Sequence, residues 1–126
     1  MIKDRLNSFK YAFKGIGDLF MNTPNARIHL FMGVAVVICG FVFEISINEW
    51  CFCILSIFLV LAAEAFNSAI EYLTDLVSPE YHVLAGKTKD AAAGGVLLTS
   101  IGAAIVGTII FLPKGWEWFS DYFSLY

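Results

Sequence analysis

The stretch WCFCILSIFLVLAAEAFNSAI, residues 50–70, decides the fold because it carries a single charged side chain, Glu64, among apolar and small residues. A helix needs about 20 such residues to cross the hydrocarbon core of a bilayer. The stretch therefore predicts a membrane-spanning helix that contains a carboxylate. A carboxylate at that depth costs about 2.5 to 3.5 kcal/mol on insertion scales, and it usually faces protein or a wet cavity rather than lipid.

Two further apolar stretches lie on either side of this one. They cover residues 28–43 and 91–112, and the whole sequence of 126 residues is 59% hydrophobic, far more than a soluble domain of this size carries. We therefore predict one domain, residues 1–126, with an all-α integral membrane fold. The three membrane-spanning helices are expected at residues 25–45, 49–76 and 88–112.

The distribution of lysine and arginine predicts the orientation of these helices. Most basic residues precede the first span or lie between the second and third, one (Lys114) follows the third, and the loop at residues 44–49 has none. Because positively charged loops stay on the cytoplasmic side, the N-terminus and the loop at residues 71–90 are expected inside and the C-terminus outside. No cleavable signal peptide is expected, since the first apolar run starts late and lacks a small-residue cleavage site.

The N-terminal segment, residues 1–22, has the pattern of an amphipathic helix. Its apolar residues recur at steps of three and four while its basic residues lie mostly off that stripe, as in helices that lie in the headgroup plane. The sequence Asn22-Thr23-Pro24 predicts the end of this helix, and Pro24 suits the start of the next. Aromatic residues near the C-terminus predict an outer interfacial belt. They are Trp116, Trp118, Phe119, Tyr122, Phe123 and Tyr126.

Four polar residues of EAFNSAIEYLTD, residues 64–75, share one face of the expected second span. At 100° per residue they fall within an arc of about 80°, and they extend over three turns toward the cytoplasmic loop. Glu64 lies deepest, roughly 10 Å along the helix axis from Glu71. The four residues are Glu64, Asn67, Glu71 and Asp75.

The residues alone leave several interpretations of this face open. The acids could pair with basic side chains of a neighbouring helix, although no Lys or Arg lies between residues 28 and 70. A single buried Glu would also suit a small proton-coupled transporter, and a non-catalytic membrane subunit is a further alternative. A polar face that opens at the interface favours a site for Mg²⁺, which prefers oxygen ligands and is often shared with substrate phosphates. The absence of GxxxxGK[ST] and GxGxxG sequences excludes a P-loop or protein-kinase fold.

Residues 64–96, EAFNSAIEYLTDLVSPEYHVLAGKTKDAAAGGV, resemble the signature of the small prokaryotic diacylglycerol kinase family, which includes undecaprenol kinases. The shared pattern is E-x-x-N-[ST]-A-I-E-x-x-x-D, then S-x-E-Y-H-x-L, then K-D. SFKYAFKGI, residues 8–16, and NARIHL, residues 25–30, resemble the family's N-terminal segments. The resemblance implies a homotrimer of three-span subunits in the bacterial inner membrane, with an amphipathic N-terminal helix and active sites shared between neighbouring subunits. It also implies that MgATP phosphorylates a lipid hydroxyl at the cytoplasmic interface.

The resemblance further implies roles for individual residues. Glu64 matches the catalytic base, which takes the proton from the lipid hydroxyl, and Glu71 matches a Mg²⁺ ligand that holds the ATP phosphates. Asn67 and Asp75 match positions that line the site, and Arg5 matches a basic position near the N-terminus. The remaining matches are nucleotide contacts at Tyr11, Glu80, Tyr81, His82, Lys89 and Asp90.

One departure from the family pattern concerns the metal. Many members have a second Mg²⁺-binding Glu where this sequence has Thr23, so metal affinity should fall unless Asp18, Asp75 or water compensates. His29, at the entry of the first span, is expected to make an interfacial hydrogen bond rather than to act in catalysis.

The resemblance also bears on the substrate. Ser78-Pro79, Lys87, the AAAGGV run and RIH at residues 27–29 resemble the sequences whose members prefer undecaprenol. Undecaprenol is therefore expected ahead of diacylglycerol.

Overall fold

The computed structural model describes residues 1–124, which form four helices joined by short connections. The helices are α1 (Ile2–Asn22), α2 (Pro24–Val42), α3 (Ile47–Val77) and α4 (Val83–Ser124). Three of them, α2, α3 and α4, are long and apolar enough to cross a membrane. The expected all-α fold with three such helices is thus confirmed for the described residues. Tyr126, expected in the aromatic belt, lies outside them.

The helix ends follow from local sequence. Thr23 is extended, with φ −113° and ψ 103°, and separates α1 from α2, which begins at Pro24 as expected; the fixed φ of proline suits a first helical position. At the start of α3, the Ser46 backbone N–H donates to Glu49 Oε2 at 2.8 Å, and the Glu49 backbone N–H donates to Ser46 Oγ at 3.3 Å. This capping box satisfies backbone donors that would otherwise lack partners at the helix end.

Helix α3 is the centre of the fold. It makes its most extensive contact with α4 and a smaller one with α2, while α1 contacts α2 and α3 and buries Leu19 near its end. A cluster around Ile45, Cys53 and Ile110 joins the three long helices near the loop between α2 and α3. Many large apolar side chains remain exposed on the outer surface of the chain, and most of the packing lies where α2 and α4 contact α3.

Helix α4 is longer than the sequence analysis expected. The expected span at residues 88–112 lies inside a helix that runs from Val83 to Ser124 and contains Pro113. A proline removes one backbone hydrogen bond, but neighbouring groups can compensate within membrane helices. Beyond it, the Phe119 and Phe123 rings lie 4.4 Å apart between centroids, and such pairs one turn apart stabilise a helix. The residues of the expected aromatic belt up to Phe123 are therefore helical.

The close approach of α2 and α3 depends on Gly40. A Cβ atom at this position would lie 2.6 Å from the Trp50 ring, and that ring is held against Phe41 at 4.9 Å between centroids. We expect Gly40→Ala to destabilise the fold by about 1 to 3 kcal/mol, because overpacking displaces the ring. Unfolding by SDS in detergent micelles, followed by helical circular dichroism, measures the change.

Gly15→Ala is the matched control for this prediction. No heavy atom lies within 4 Å of a Cβ built at Gly15, and alanine favours a helix over glycine. The control should therefore be neutral or stabilising. Equal behaviour of the two variants would contradict the packing role of Gly40.

Candidate active site

The buried polar side chains of the described residues lie together on α3. They are Glu64, Asn67 and Ser68, and Glu64 is only 1% exposed. They belong to the face predicted from the helical period, which carries Glu64, Asn67, Glu71 and Asp75 and which we call the α3 face. It packs against the start of α2, where Ala26 is fully buried. Because burying a carboxylate is costly in a membrane helix, its surroundings define the candidate site.

Glu64 has a histidine, not a lysine or arginine, beside it. His29 Nε2 on α2 lies 3.3 Å from Glu64 Oε1. Oε1 has no hydrogen-bond partner among the described residues, so the two atoms are close but are not aligned for a hydrogen bond. The sequence analysis expected only an interfacial role for His29. The contact joins residues far apart in the sequence, and the pattern of either helix alone contains no signal of it.

Asn67 and Glu71 form the next part of the face. Asn67 Nδ2 donates to Glu71 Oε1 at 2.9 Å, and Asn67 Oδ1 is buried without a hydrogen-bond partner in residues 1–124. The bond fixes the carboxylate and leaves amide and carboxylate oxygens at the site. Such oxygens are the ligands that Mg²⁺ prefers.

Thr23 approaches the same face from the junction of α1 and α2. Its hydroxyl lies 3.2 Å from the Ser68 hydroxyl of α3. Thr23 therefore makes a contact between helices at the position where many family members have a metal-binding Glu. Asp18 and Asp75, the two residues expected to compensate, have other partners. Asp18 Oδ2 accepts from the Tyr72 hydroxyl at 3.0 Å, and Asp75 Oδ1 accepts from Lys89 Nζ.

The side-chain atoms on the α3 face indicate whether a metal ion could bind there. No group of three or more His, Cys, Asp or Glu side chains within the described part of the chain is placed to hold a metal ion. Glu71 therefore supplies a single carboxylate, with the Asn67 amide oxygen beside it. Mg²⁺ is typically bound by one or two carboxylates together with substrate phosphates and water. The residues thus fit a Mg²⁺ ion that arrives with a nucleotide, but not one enclosed by protein alone.

The loop residues expected to bind nucleotide lie at one end of α3 and α4. Lys89 joins α4 to Asp75 of α3 through an exposed ion pair, so these two predicted residues are brought together. His82 Nδ1 accepts from the Leu84 backbone N–H at 3.1 Å, and the backbone oxygen of Glu80 accepts from Ser78 Oγ at 3.1 Å. Tyr81 and Asp90 are exposed.

The predicted residues of α1 are not brought to the α3 face within one chain. Arg5 and Tyr11 are exposed, and in residues 1–124 no side-chain hydrogen bond or ion pair joins them to α3. The helix is instead fastened near its end, where Asp18 accepts from Tyr72 and from the Asn22 amide, the latter at 2.6 Å. Sequence reasoning missed this connection, because it depends on how α1 folds back against α3.

A groove of about 660 Å³ runs between α2 and α4 along α3. We call it the α2–α4 groove. Apolar and small side chains line most of it, His29 lies near one end, and Glu64 is not part of its lining. Representative lining residues are His29, Gly33, Val60, Ala103, Gly107 and Phe111.

The chain is similar to known proteins along most of its length. The family model for prokaryotic diacylglycerol kinase matches residues 10–111. The chain is 41% identical to the undecaprenol kinase of Bacillus subtilis (strain 168), over 85% of this chain and 87% of that protein. It is also 41% identical to a diacylglycerol kinase of Synechocystis, over 86% of this chain and 62% of that protein. Identity to the diacylglycerol kinase of Escherichia coli (strain K12) is 32%, over 79% of this chain and 82% of that protein.

Proposed function

Because the chain belongs to the prokaryotic diacylglycerol kinase family and is a lipid kinase, we propose that it transfers the γ-phosphate of ATP to undecaprenol. The product is undecaprenyl phosphate, and Mg²⁺ accompanies the nucleotide. The main support for undecaprenol as the substrate is the similarity to undecaprenol kinase, which extends over most of both proteins. The family membership favours a kinase over the transporter and the non-catalytic subunit.

The two glutamates of the α3 face, Glu64 and Glu71, are proposed to have different roles. Glu64 is the base that takes the proton from the lipid hydroxyl, since it is buried and retains an oxygen without a hydrogen-bond partner in residues 1–124. Glu71, held by Asn67, would hold Mg²⁺. When bound, the ion neutralises the charge on the ATP phosphates. Most of the remaining catalysis is positioning, as is usual in phosphoryl transfer.

The nucleotide is proposed to lie at the end of α3 that carries the loop to α4. Asp75 lines this region and Lys89 provides a positive charge for the phosphates. The other proposed contacts are Tyr11, Glu80, Tyr81, His82 and Asp90. Arg5 and Tyr11 lie apart from the α3 face of their own chain, which supports sites shared between subunits of a homotrimer.

The membrane arrangement is also a proposal. The basic residues favour a cytoplasmic N-terminus, an external C-terminus and a location in the bacterial inner membrane. Helix α1 is proposed to lie in the headgroup plane, where its basic residues meet phosphates and its apolar stripe meets the acyl chains. This arrangement brings the open end of the α3 face to the surface where ATP and a lipid hydroxyl meet.

Transfer of labelled γ-phosphate tests the proposed function. Purified protein in mixed micelles is given MgATP with undecaprenol or diacylglycerol, and Glu64→Gln is the negative control. Label in undecaprenol that disappears in the control supports the proposal. Preferential labelling of diacylglycerol would favour the second candidate, phosphatidic acid synthesis, which the equal identity to the Synechocystis enzyme supports.

Lys89 provides a separate test of the nucleotide site. We expect Lys89→Gln to raise the KM for MgATP by about 10- to 100-fold, since a hydrogen bond to a charged group is worth about 1.5 to 3 kcal/mol. Asp75→Asn should have a smaller effect, because it removes the partner of Lys89 but keeps the positive charge. Steady-state kinetics with varied MgATP measures both.

Lys87→Gln is the matched control, because it removes the same charge from an exposed position two residues earlier. Its KM should stay near the wild-type value. If Asp75→Asn and Lys89→Gln were equally impaired, the pair would be a structural link between α3 and α4 rather than part of the nucleotide site.

A further inference from the structure

The position of Glu64 raises a question of access. Its side chain is only 2% exposed, whereas the His29 side chain beside it is 26% exposed. His29 lines the α2–α4 groove and Glu64 does not. A molecule that occupies the groove therefore reaches the imidazole before it reaches the carboxylate.

The lining of the α2–α4 groove indicates what kind of molecule fits it. Apart from His29, its polar side chains are the hydroxyls of Ser56, Ser100 and Thr108, and the rest of the lining is apolar or glycine. No Asp, Glu, Lys or Arg side chain contributes to it. A hydrocarbon chain suits such a lining, because it has no hydrogen bonds to satisfy. A lipid alcohol lying there with its hydroxyl toward His29 would present the reacting group beside Glu64.

The two nitrogens of His29 have different surroundings. Nε2 faces Glu64 Oε1 at 3.3 Å, and no hydrogen bond within residues 1–124 engages Nδ1. A histidine with one nitrogen near a carboxylate and the other without a hydrogen bond can move a proton between its two sides once Nε2 and Oε1 align, and catalytic hydrogen bonds often align only when substrate binds. In the tautomer that carries its hydrogen on Nε2, the donor is the ring nitrogen nearer Glu64 and Nδ1 is the acceptor.

We propose that His29 is a catalytic residue that contacts the lipid hydroxyl in the α2–α4 groove and relays its proton to Glu64. The hydroxyl O–H bond breaks and its electron pair forms the new bond to the γ-phosphorus of ATP, while the bond from that phosphorus to the oxygen of ADP breaks. The proton passes to Nδ1 as the Nε2 proton passes to Glu64, which releases it to water after turnover. This role of His29 rests on the proposed kinase function, and it identifies the side chain that contacts the lipid hydroxyl.

His29→Gln and His29→Ala test the relay. Glutamine keeps an N–H donor and a similar size, so it preserves a packing role but not proton transfer. We expect His29→Gln to lower kcat by at least about 100-fold, with little change in the KM for MgATP or lipid. Added imidazole should restore part of the rate of His29→Ala in a saturable manner. Asn25→Ala, an exposed position one turn earlier on α2, is the control and should behave as wild type.

The possible results separate the relay from the kinase function. If wild-type protein phosphorylates lipid and Glu64→Gln does not, while His29→Gln keeps a kcat within a few-fold of wild type, the relay is wrong and the kinase function stands. A loss in both His29 variants that imidazole leaves unchanged, with unfolding in SDS also shifted, assigns His29 to packing and overturns the relay. Failure of the wild-type protein to label either lipid counts against the proposed function itself.

Discussion

Glu64→Gln should abolish lipid phosphorylation while leaving MgATP binding intact. Loss of a general base lowers rates by about 10²- to 10⁴-fold, and glutamine cannot accept a proton at neutral pH. The side chain is enclosed between α3 and α2, and glutamine has nearly the same shape, so the surrounding packing should be preserved. Removing a buried charge also avoids the cost of placing a carboxylate inside the membrane. The expected loss is therefore chemical rather than structural.

Two measurements on Glu64→Gln separate these causes. Lipid phosphorylation at saturating substrates gives kcat, and calorimetric titration with a non-hydrolysable ATP analogue and Mg²⁺ gives nucleotide affinity. Glu117→Gln, an exposed position near the end of α4, makes the same chemical change outside the site and should remain active. Wild-type kcat in Glu64→Gln would show that Glu64 is not the base.

Glu71→Gln is expected to impair the use of MgATP rather than proton transfer from the lipid. We expect kcat/KM for MgATP to fall by at least about 100-fold, as happens when a single preorganised electrostatic contact to a reacting group is lost. The effect should be large because Thr23 offers only a hydroxyl, which already lies against Ser68. Among residues 1–124, Glu71 is the carboxylate proposed to hold the metal, because Asp18 and Asp75 have other partners.

The dependence on Mg²⁺ provides the sharper measurement for Glu71→Gln. The Mg²⁺ concentration that gives half-maximal rate, at fixed ATP, should rise in this variant and stay unchanged in Glu44→Gln, an exposed change in the loop between α2 and α3. An unchanged Mg²⁺ requirement in Glu71→Gln would remove this residue from the metal site.

Much of the fold could be predicted from the sequence because it follows from local rules. Apolar length predicted the three long helices, and Asn22-Thr23-Pro24 predicted the boundary between α1 and α2. The helical period predicted that Asn67 and Glu71 face the same way, and the structure joins them by a hydrogen bond. The span expected at residues 88–112 was bounded by the apolar stretch, whereas α4 continues past Pro113 to Ser124.

The contacts between helices could not be predicted in the same way. His29 beside Glu64, Thr23 beside Ser68 and Tyr72 beside Asp18 each depend on how two helices are rotated and how close they lie. Neither helix's own pattern contains that information. Lysine and arginine are the usual partners of a buried carboxylate, so the histidine at the entry of another helix was not predicted.

The length of α3 ties catalysis to the thickness of the membrane. Glu64 follows Ile47, the first residue of α3, by about 26 Å at 1.5 Å per residue, which nearly spans a hydrocarbon core of about 30 Å. In the proposed arrangement, with the outer hydrocarbon boundary at the start of α3, Glu64 lies just inside the opposite boundary and Glu71 lies beyond it. A helix accommodates a thinner or thicker bilayer by tilting or by deforming the lipid around it. The depth at which the lipid hydroxyl is proposed to meet Glu64 is thus set jointly by the protein and by the surrounding lipids.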